Sequence, residues 1–236
     1  SGKKTKAVIK PAPVNHGYKF KRIDLEGEPV IAADALKVGF TERGTRLSQG
    51  DAEVYTVEHL LGSLYALGID NALIEIDNVE IPILDGSAKT FVDAILKAGI
   101  EEQDEEKEYL IIKETIRHYD EETGSELIIS PADSLSLKVM IDFNSKVLNT
   151  QYATLEDTAD FVEEIAAART FVFLDEIEGL LKKGLIKGGD LTNAVVLVRE
   201  EMSEAKIKEL AELTGKADVE IDDTGVLNTS KLRFLN

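Results

Sequence analysis

Thr56-Val57-Glu58-His59-Leu60-Leu61-Gly62-Ser63-Leu64-Tyr65-Ala66-Leu67-Gly68 is followed, after three residues, by Ala72-Leu73-Ile74-Glu75-Ile76. In the first stretch Val57, Leu60, Leu61, Leu64 and Leu67 recur at helical spacing, with Thr56 where an N-cap belongs and Gly68 where a C′ glycine belongs. The second stretch has the length and branching of a short strand. Working outward, residues 4–10 alternate as a half-exposed strand that stops at Pro11 and Pro13, and such an opening strand implies a hairpin partner upstream. Tyr18-Lys19-Phe20-Lys21-Arg22-Ile23 alternates cleanly until Gly27-Glu28-Pro29 breaks the pattern. Residues 88–98, with Phe91, Val92, Ile95 and Leu96 apolar, form a second amphipathic helix that ends at Gly99.

Residues 101–108 contain Glu101, Glu102, Asp104, Glu105, Glu106 and Glu108 without periodicity, the composition of an interdomain linker. The same grammar then recurs: strands at 109–116, 127–129 and 135–143, helices at 159–166 and 174–183, a strand at 194–198 and a helix at 203–213. Strands followed by helices, twice, predict an α+β protein of two similar domains, 1–104 and 105–236. Each would be a small mixed sheet packed on helices, with the active site between them.

Composition narrows the chemistry. The 236 residues include 27 Lys+Arg and 45 Asp+Glu, a formal net charge of −18, with no block of basic residues, which argues against a nucleic-acid partner. No apolar run approaches the roughly 18 residues of a membrane span, and Ser1-Gly2-Lys3-Lys4 is not followed by the apolar core of a signal peptide, so a cytoplasmic location is expected. The absence of cysteine excludes thiol catalysis and leaves nitrogen and oxygen as the only metal ligands. Of three histidines, His16 follows a Pro-rich turn and His118 sits near a hairpin tip, both surface contexts. His59 is different, because it stands in the first turn of a helix directly after Glu58. There the macrodipole lowers the imidazole pKa and keeps a neutral nitrogen for a metal. Adjacent helical residues point about 100° apart, so Glu58 and His59 serve one site only if that site lies at the helix end.

Glu58-His59 with its neighbours, Leu67-Gly68-Ile69-Asp70-Asn71, Glu80-Ile81-Pro82-Ile83-Leu84-Asp85-Gly86-Ser87-Ala88, Ala168-Arg169-Thr170-Phe171 and the segment from Gly184 through Gly188-Gly189-Asp190 to Ala194 fall in one order along the chain. Together they closely resemble the zinc-dependent UDP-3-O-acyl-N-acetylglucosamine deacetylases of bacterial lipid A biosynthesis. The resemblance implies hydrolysis of the N-acetyl group to a free amine and acetate. It implies Glu58 as the general base that activates zinc-bound water, His59 as a zinc ligand and Thr170 as hydrogen-bond donor to the tetrahedral oxyanion. It also implies Phe171, Ile177, Ile186, Gly189 and Val196 beside the substrate or along the passage for its acyl chain, although core packing accounts for such apolar residues equally well. Asp85-Gly86 reads as a structural turn, and Arg169 as an ion-pair partner without an assigned role.

The family pattern has an opening strand with a Gly-Leu-His segment, and an Arg-His-Lys-x-x-Asp helix that supplies a second His and an Asp to the zinc. A later Gly-His supplies the general acid. None of these is in this sequence. The expectation is one zinc per active site completed by ligands not present in this chain, and a chain inactive by itself. Residues 203–213 resemble an insertion found in family members, some fused to a 3-hydroxyacyl-carrier-protein dehydratase. The expected partner is an acylated nucleotide sugar. The alternative is a catalytically silent relative that serves as a binding or scaffold domain.

Overall fold

The computed structural model describes residues 2–41, 44–145, 148–176 and 193–199, with residues 203, 205 and 207–209. Its first part is built on a four-stranded mixed sheet. Strand β1 (Ala7–Pro11) is antiparallel to β7 (Ala72–Ile76), which runs parallel to β2 (Tyr18–Arg22), and β3 (Val30–Ala32) closes the far edge. A second, antiparallel sheet holds β4 (Val38–Phe40), β5 (Arg46–Gln49) and β6 (Ala52–Tyr55). Two helices follow, α1 (Glu58–Ala66) and α2 (Lys89–Ala98).

The period-two pattern of β7 is reproduced in its burial: Ala72, Ile74 and Ile76 are buried while Leu73 and Glu75 are half-buried. Those three join Phe20, Ile31, Val54, Leu60, Leu64 and Phe91 in one core that both sheets and both helices share. Arg22 ties the sheets together. Its buried guanidinium makes two 2.8 Å bonds to the Asp24 carboxylate and one of 2.5 Å to the Glu53 carbonyl on β6, and it holds the Asp24 carboxyl below its usual range. Gly68 (φ +70) and Gly99 (φ +88) end α1 and α2 in left-handed backbone, as their positions in the sequence imply.

Thr56 departs from its expected role. Residue Val57 occupies the N-cap position of α1 without a side-chain cap bond, and Thr56 sits at φ +60 with its N–H on the Thr45 carbonyl and its hydroxyl on Glu80. A β-branched residue in left-handed backbone costs about 1–3 kcal/mol, so these two bonds hold a strained corner at the start of the helix. Strands β4, β5 and β6 were not legible from the sequence. They are three or four residues long, and only the Gly50 turn (φ +58) between β5 and β6 marks them.

The second part carries its strands in pairs: β8 (Ile116–Tyr119) with β9 (Glu126–Ile129), β10 (Leu137–Asp142) with β11 (Thr150–Leu155), and β12 (Phe171–Phe173) parallel to β13 (Val195–Leu197). The strand expected at 109–116 is irregular up to residue 115. Strand-like composition does not make a strand without a ladder partner, and the pairing with β9 begins only at Ile116. The helix expected at 159–166 is a 3-10 turn (Thr158–Asp160) running into the short α3 (Phe161–Glu164). Residues 174–176 are helical, as are 205 and 207–209; the remainder of the two helices expected at 174–183 and 203–213 lies outside the described residues. The architecture is thus α+β, with several small sheets and few helices. None of the helices among the described residues is long and apolar enough to cross a membrane.

Apolar packing is one of the joins between the parts among the described residues. Phe161, Val162 and Ala166 pack on Leu67, Ala88 and Val92. The acidic stretch expected to be a linker is strapped down: Gln103 donates to the Ala12 carbonyl (3.0 Å) and accepts from Asn71 (2.7 Å), and Lys107 pairs with Asp70 (2.6 Å) while lying over the Tyr65 ring. Beneath the strap the Tyr18 hydroxyl donates to the Ile69 carbonyl at 2.5 Å. Burial, then the nearby Asp70 and Tyr65, push its pKa up to about 12. Because the folded pKa lies above the unfolded value near 10, the stabilisation from neutral Tyr18 is complete below pH 10 and is lost as pH rises from 10 through about 12. Alkaline titration of tyrosine absorbance should show a late component near pH 12 that Tyr18→Phe removes. A titration complete by pH 11 in the folded protein would contradict this placement.

Candidate active site

Glu58 is the first residue of α1, and its carboxylate is held from the loop before β5. The Thr45 N–H donates to Oε2 at 3.0 Å. Gly44, at φ +151, lies so close that a Cβ there would stand 3.2 Å from Oε1. A backbone donor fixes the carboxylate's orientation without neutralising it, which suits a proton acceptor.

His59 follows on the same turn and is half-buried. Its carbonyl accepts from the Ser63 hydroxyl at 2.7 Å, and that buried hydroxyl also lies 3.4 Å from the Ala88 carbonyl, so the histidine's turn is tied toward the start of α2. The imidazole pKa is held below its usual value, as the sequence suggested, but the leading cause is burial; the charges of Glu58 and Asp85 pull it the other way. The result is a neutral imidazole with two carboxylates in its field.

Asp85 belongs to a tight turn in which Leu84 (φ +54) and Gly86 (φ +83) are left-handed and Gly86 N–H bonds back to the Ile83 carbonyl. The Asp85 carboxylate accepts from the N–H and hydroxyl of Ser87. The backbone of this turn receives the second part of the chain. Arg169 Nε donates to the Asp85 carbonyl (2.7 Å), Thr170 N–H donates to the Gly86 carbonyl (2.7 Å), and Ser87 and Arg169 form an antiparallel bridge. The Thr170 carbonyl in turn accepts from Val195 N–H on β13 (2.9 Å). Gly86 permits the approach, for a Cβ there would lie 2.2 Å from the Asn193 carbonyl oxygen and 3.1 Å from Thr170 Cγ2. Glu58, His59, Asp85, Arg169 and Thr170 therefore form one connected region built from both parts.

The apolar candidates divide. Phe171 is half-buried at the edge of an aromatic trio, 5.3 Å from Phe143 and 5.9 Å from Phe173 between ring centroids, both edge-to-face. Val196 is buried, on the other side of its strand from Val195 and Leu197, which pack on that trio. Ile177, Ile186 and Gly189 lie outside the described residues. Sequence reasoning missed Gly44 and Thr45, whose contribution is backbone geometry, and it left Arg169 without the partner found in the Asp85 carbonyl.

The donor chemistry at His59 suits a zinc ion, since a neutral imidazole is the form that binds it. Among the described residues no group of three His, Asp or Glu side chains converges as a metal cage, so His59 fits as one ligand of a set and not as a complete site. The crossing at Gly86 gives a direct test. Gly86→Ala should destabilise the fold by more than about 1 kcal/mol, because the substitution meets both a left-handed backbone and the Asn193 carbonyl. Calorimetric melting several degrees below wild type is the expected result, and an unchanged melting temperature would refute the close approach.

Residues 1–213 match the family model for UDP-3-O-acyl N-acetylglycosamine deacetylase, LpxC. Over 226 residues the chain is 49% identical to a bifunctional enzyme LpxC/FabZ of Bacteroides thetaiotaomicron and 46% identical to one of Porphyromonas gingivalis, covering 96% of this chain and 49% of each relative. It is 39% identical over 236 residues to a UDP-3-O-acyl-N-acetylglucosamine deacetylase of Pseudomonas entomophila, covering 99% of this chain and 69% of that protein. The chain thus spans about half the length of the bifunctional relatives it matches. On a match that takes in both the Glu58-His59 helix and Thr170 just before β12, the chain belongs to the LpxC family of UDP-3-O-acyl N-acetylglycosamine deacetylases.

Proposed function

We propose that the protein hydrolyses the N-acetyl group of a UDP-3-O-acyl-N-acetylglucosamine, releasing acetate and leaving the free amine, as a step of lipid A biosynthesis in the cytoplasm. The observation that carries this reading is family membership combined with an oriented Glu58 carboxylate beside a desolvated, neutral His59. His59 would be one ligand of a zinc ion, and zinc, when bound, supplies Lewis-acid polarisation of the acetamide carbonyl. Glu58 takes the proton from the attacking water, held for that task by the Thr45 N–H. Thr170, whose backbone is locked to Gly86 and Val195, presents its hydroxyl to the oxyanion. Phe171, Val196, Ile177, Ile186 and Gly189 belong to the passage for the acyl chain, which with the UDP group provides binding energy remote from the reacting carbonyl.

The same proposal takes 1–104 and 105–236 as two α+β domains with the site between them. The bonds from Arg169 and Thr170 to the turn at Asp85-Gly86 support that arrangement. A dehydratase domain fused to this one also belongs to the proposal, supported by the FabZ half in the names of two relatives.

Zinc content after dialysis tests the ligand assignment. Near-stoichiometric zinc in this chain that disappears in His59→Ala supports it, with the other ligands drawn from the chain or a neighbouring copy, whereas background zinc in both would mean that metal binding depends on residues beyond this sequence. In the protein with its native termini, Glu58→Ala should lower kcat by about 10²–10⁴-fold while zinc stays bound. Turnover retained in that variant would remove Glu58 from the role of base.

A further inference from the structure

Arg199 stands two residues beyond β13 and gathers three segments that are distant in sequence. Its Nη1 donates to the Phe143 carbonyl at 3.0 Å, Nε to Asp175 Oδ2 at 3.2 Å and Nη2 to Glu176 Oε1 at 2.9 Å. The guanidinium lies 3.5 Å from the centroid of the Phe173 ring, and the Arg199 carbonyl accepts from the Ser145 hydroxyl at 3.2 Å. An exposed ion pair alone would contribute little. Here the planar fork satisfies two carboxylates and a carbonyl while stacking on an aromatic face, a combination that a lysine cannot reproduce.

What Arg199 holds is the aromatic trio. Phe143 receives its bond through the backbone, Phe173 is covered by its guanidinium, and Phe171 meets both rings edge-to-face. Asp175 and Glu176 are the residues through which the chain leaves β12, so the same side chain also fixes that exit. Phe173 is 5% exposed and Phe171 half-buried, which makes Phe171 the ring of the trio that a bound molecule can reach.

We propose that Arg199 is a positioning residue for acyl-chain selectivity: by clamping Phe143, Phe173 and the exit of β12 it fixes Phe171, and thereby the length of chain that the site discriminates. This rests on the reading that Phe171 meets the acyl chain of the substrate. Arg199 does not touch the reacting atoms, so its effect belongs in substrate affinity and in the length profile, not in the chemical step.

The test uses the protein with its native termini and UDP-3-O-acyl-N-acetylglucosamines with acyl chains from four to about fourteen carbons. Arg199→Ala should reduce the ratio of kcat/KM between the longest and shortest substrates about tenfold, through KM. Arg199→Lys should restore only part of it, and the double variant Asp175→Asn with Glu176→Gln should flatten the profile in the same direction. A loss of equal proportion at every chain length, or an unchanged profile in folded variants, would overturn the role of Arg199 while leaving the deacetylase reading intact. Failure of the wild type to hydrolyse any of the substrates would overturn that reading and the selectivity role with it.

Discussion

The carbonyl of Gly86 accepts the N–H of Thr170, and the geometry around that bond leaves no room for a side chain on residue 86. The organisation of the candidate site depends on this constraint. Two left-handed residues in the turn, Leu84 and Gly86, aim successive carbonyls at Arg169 and Thr170, while the carboxylate between them folds back on Ser87 within electrostatic reach of His59. The backbone of this turn thereby fixes Arg169 and Thr170 against the residues that lead into α2.

The opposite side of the site has the same character. Glu58 is oriented by a backbone N–H and backed by a glycine, and the strained corner at Thr56 is held by one backbone and one side-chain bond. Orientation through main-chain groups is economical, since no rotamer must be frozen to supply the hydrogen bond. The few charged side chains used structurally are placed at seams. Arg22 joins the two sheets of the first part, and Arg199 joins β13 to the loop after β10 and to the exit of β12.

Much of this was legible in the sequence where periodicity was long or punctuated. The repeat of Val57, Leu60, Leu64 and Leu67 ending at Gly68, the alternation of residues 72–76 and the amphipathic run closed by Gly99 all correspond to elements with an apolar face turned inward, although Leu96 of the last run is exposed. Short strands were not legible, because β4 to β6 carry too few residues for a period to register and β11 (Thr150–Leu155) is largely polar and exposed. The run at Tyr109, Leu110 and Ile111 misled in the other direction: its composition is strand-like, but its side chains are 74%, 91% and 72% exposed and no strand pairs with it among the described residues. At the site, residue types announced Glu58, His59 and Thr170. The contributions of Gly44, Thr45 and Gly86 are matters of φ angle and of distance between backbones far apart in sequence, which a linear pattern does not encode.

The strap formed by Gln103 and Lys107 alters what the acidic stretch does. With its far end pinned to Asp70, the chain between the strap and β8 is residues 108–115, whose reach when fully extended is at most about 28 Å. A tether of that length holds the elements after it at an effective concentration in the millimolar range relative to those before it. Docking between the parts is therefore close to an intramolecular event. The apolar patch of Phe161, Val162 and Ala166, together with the bonds from Arg169 and Thr170 to the Asp85-Gly86 turn, need supply only the free energy that distinguishes docked from undocked, and not the full cost of bringing two bodies together from solution.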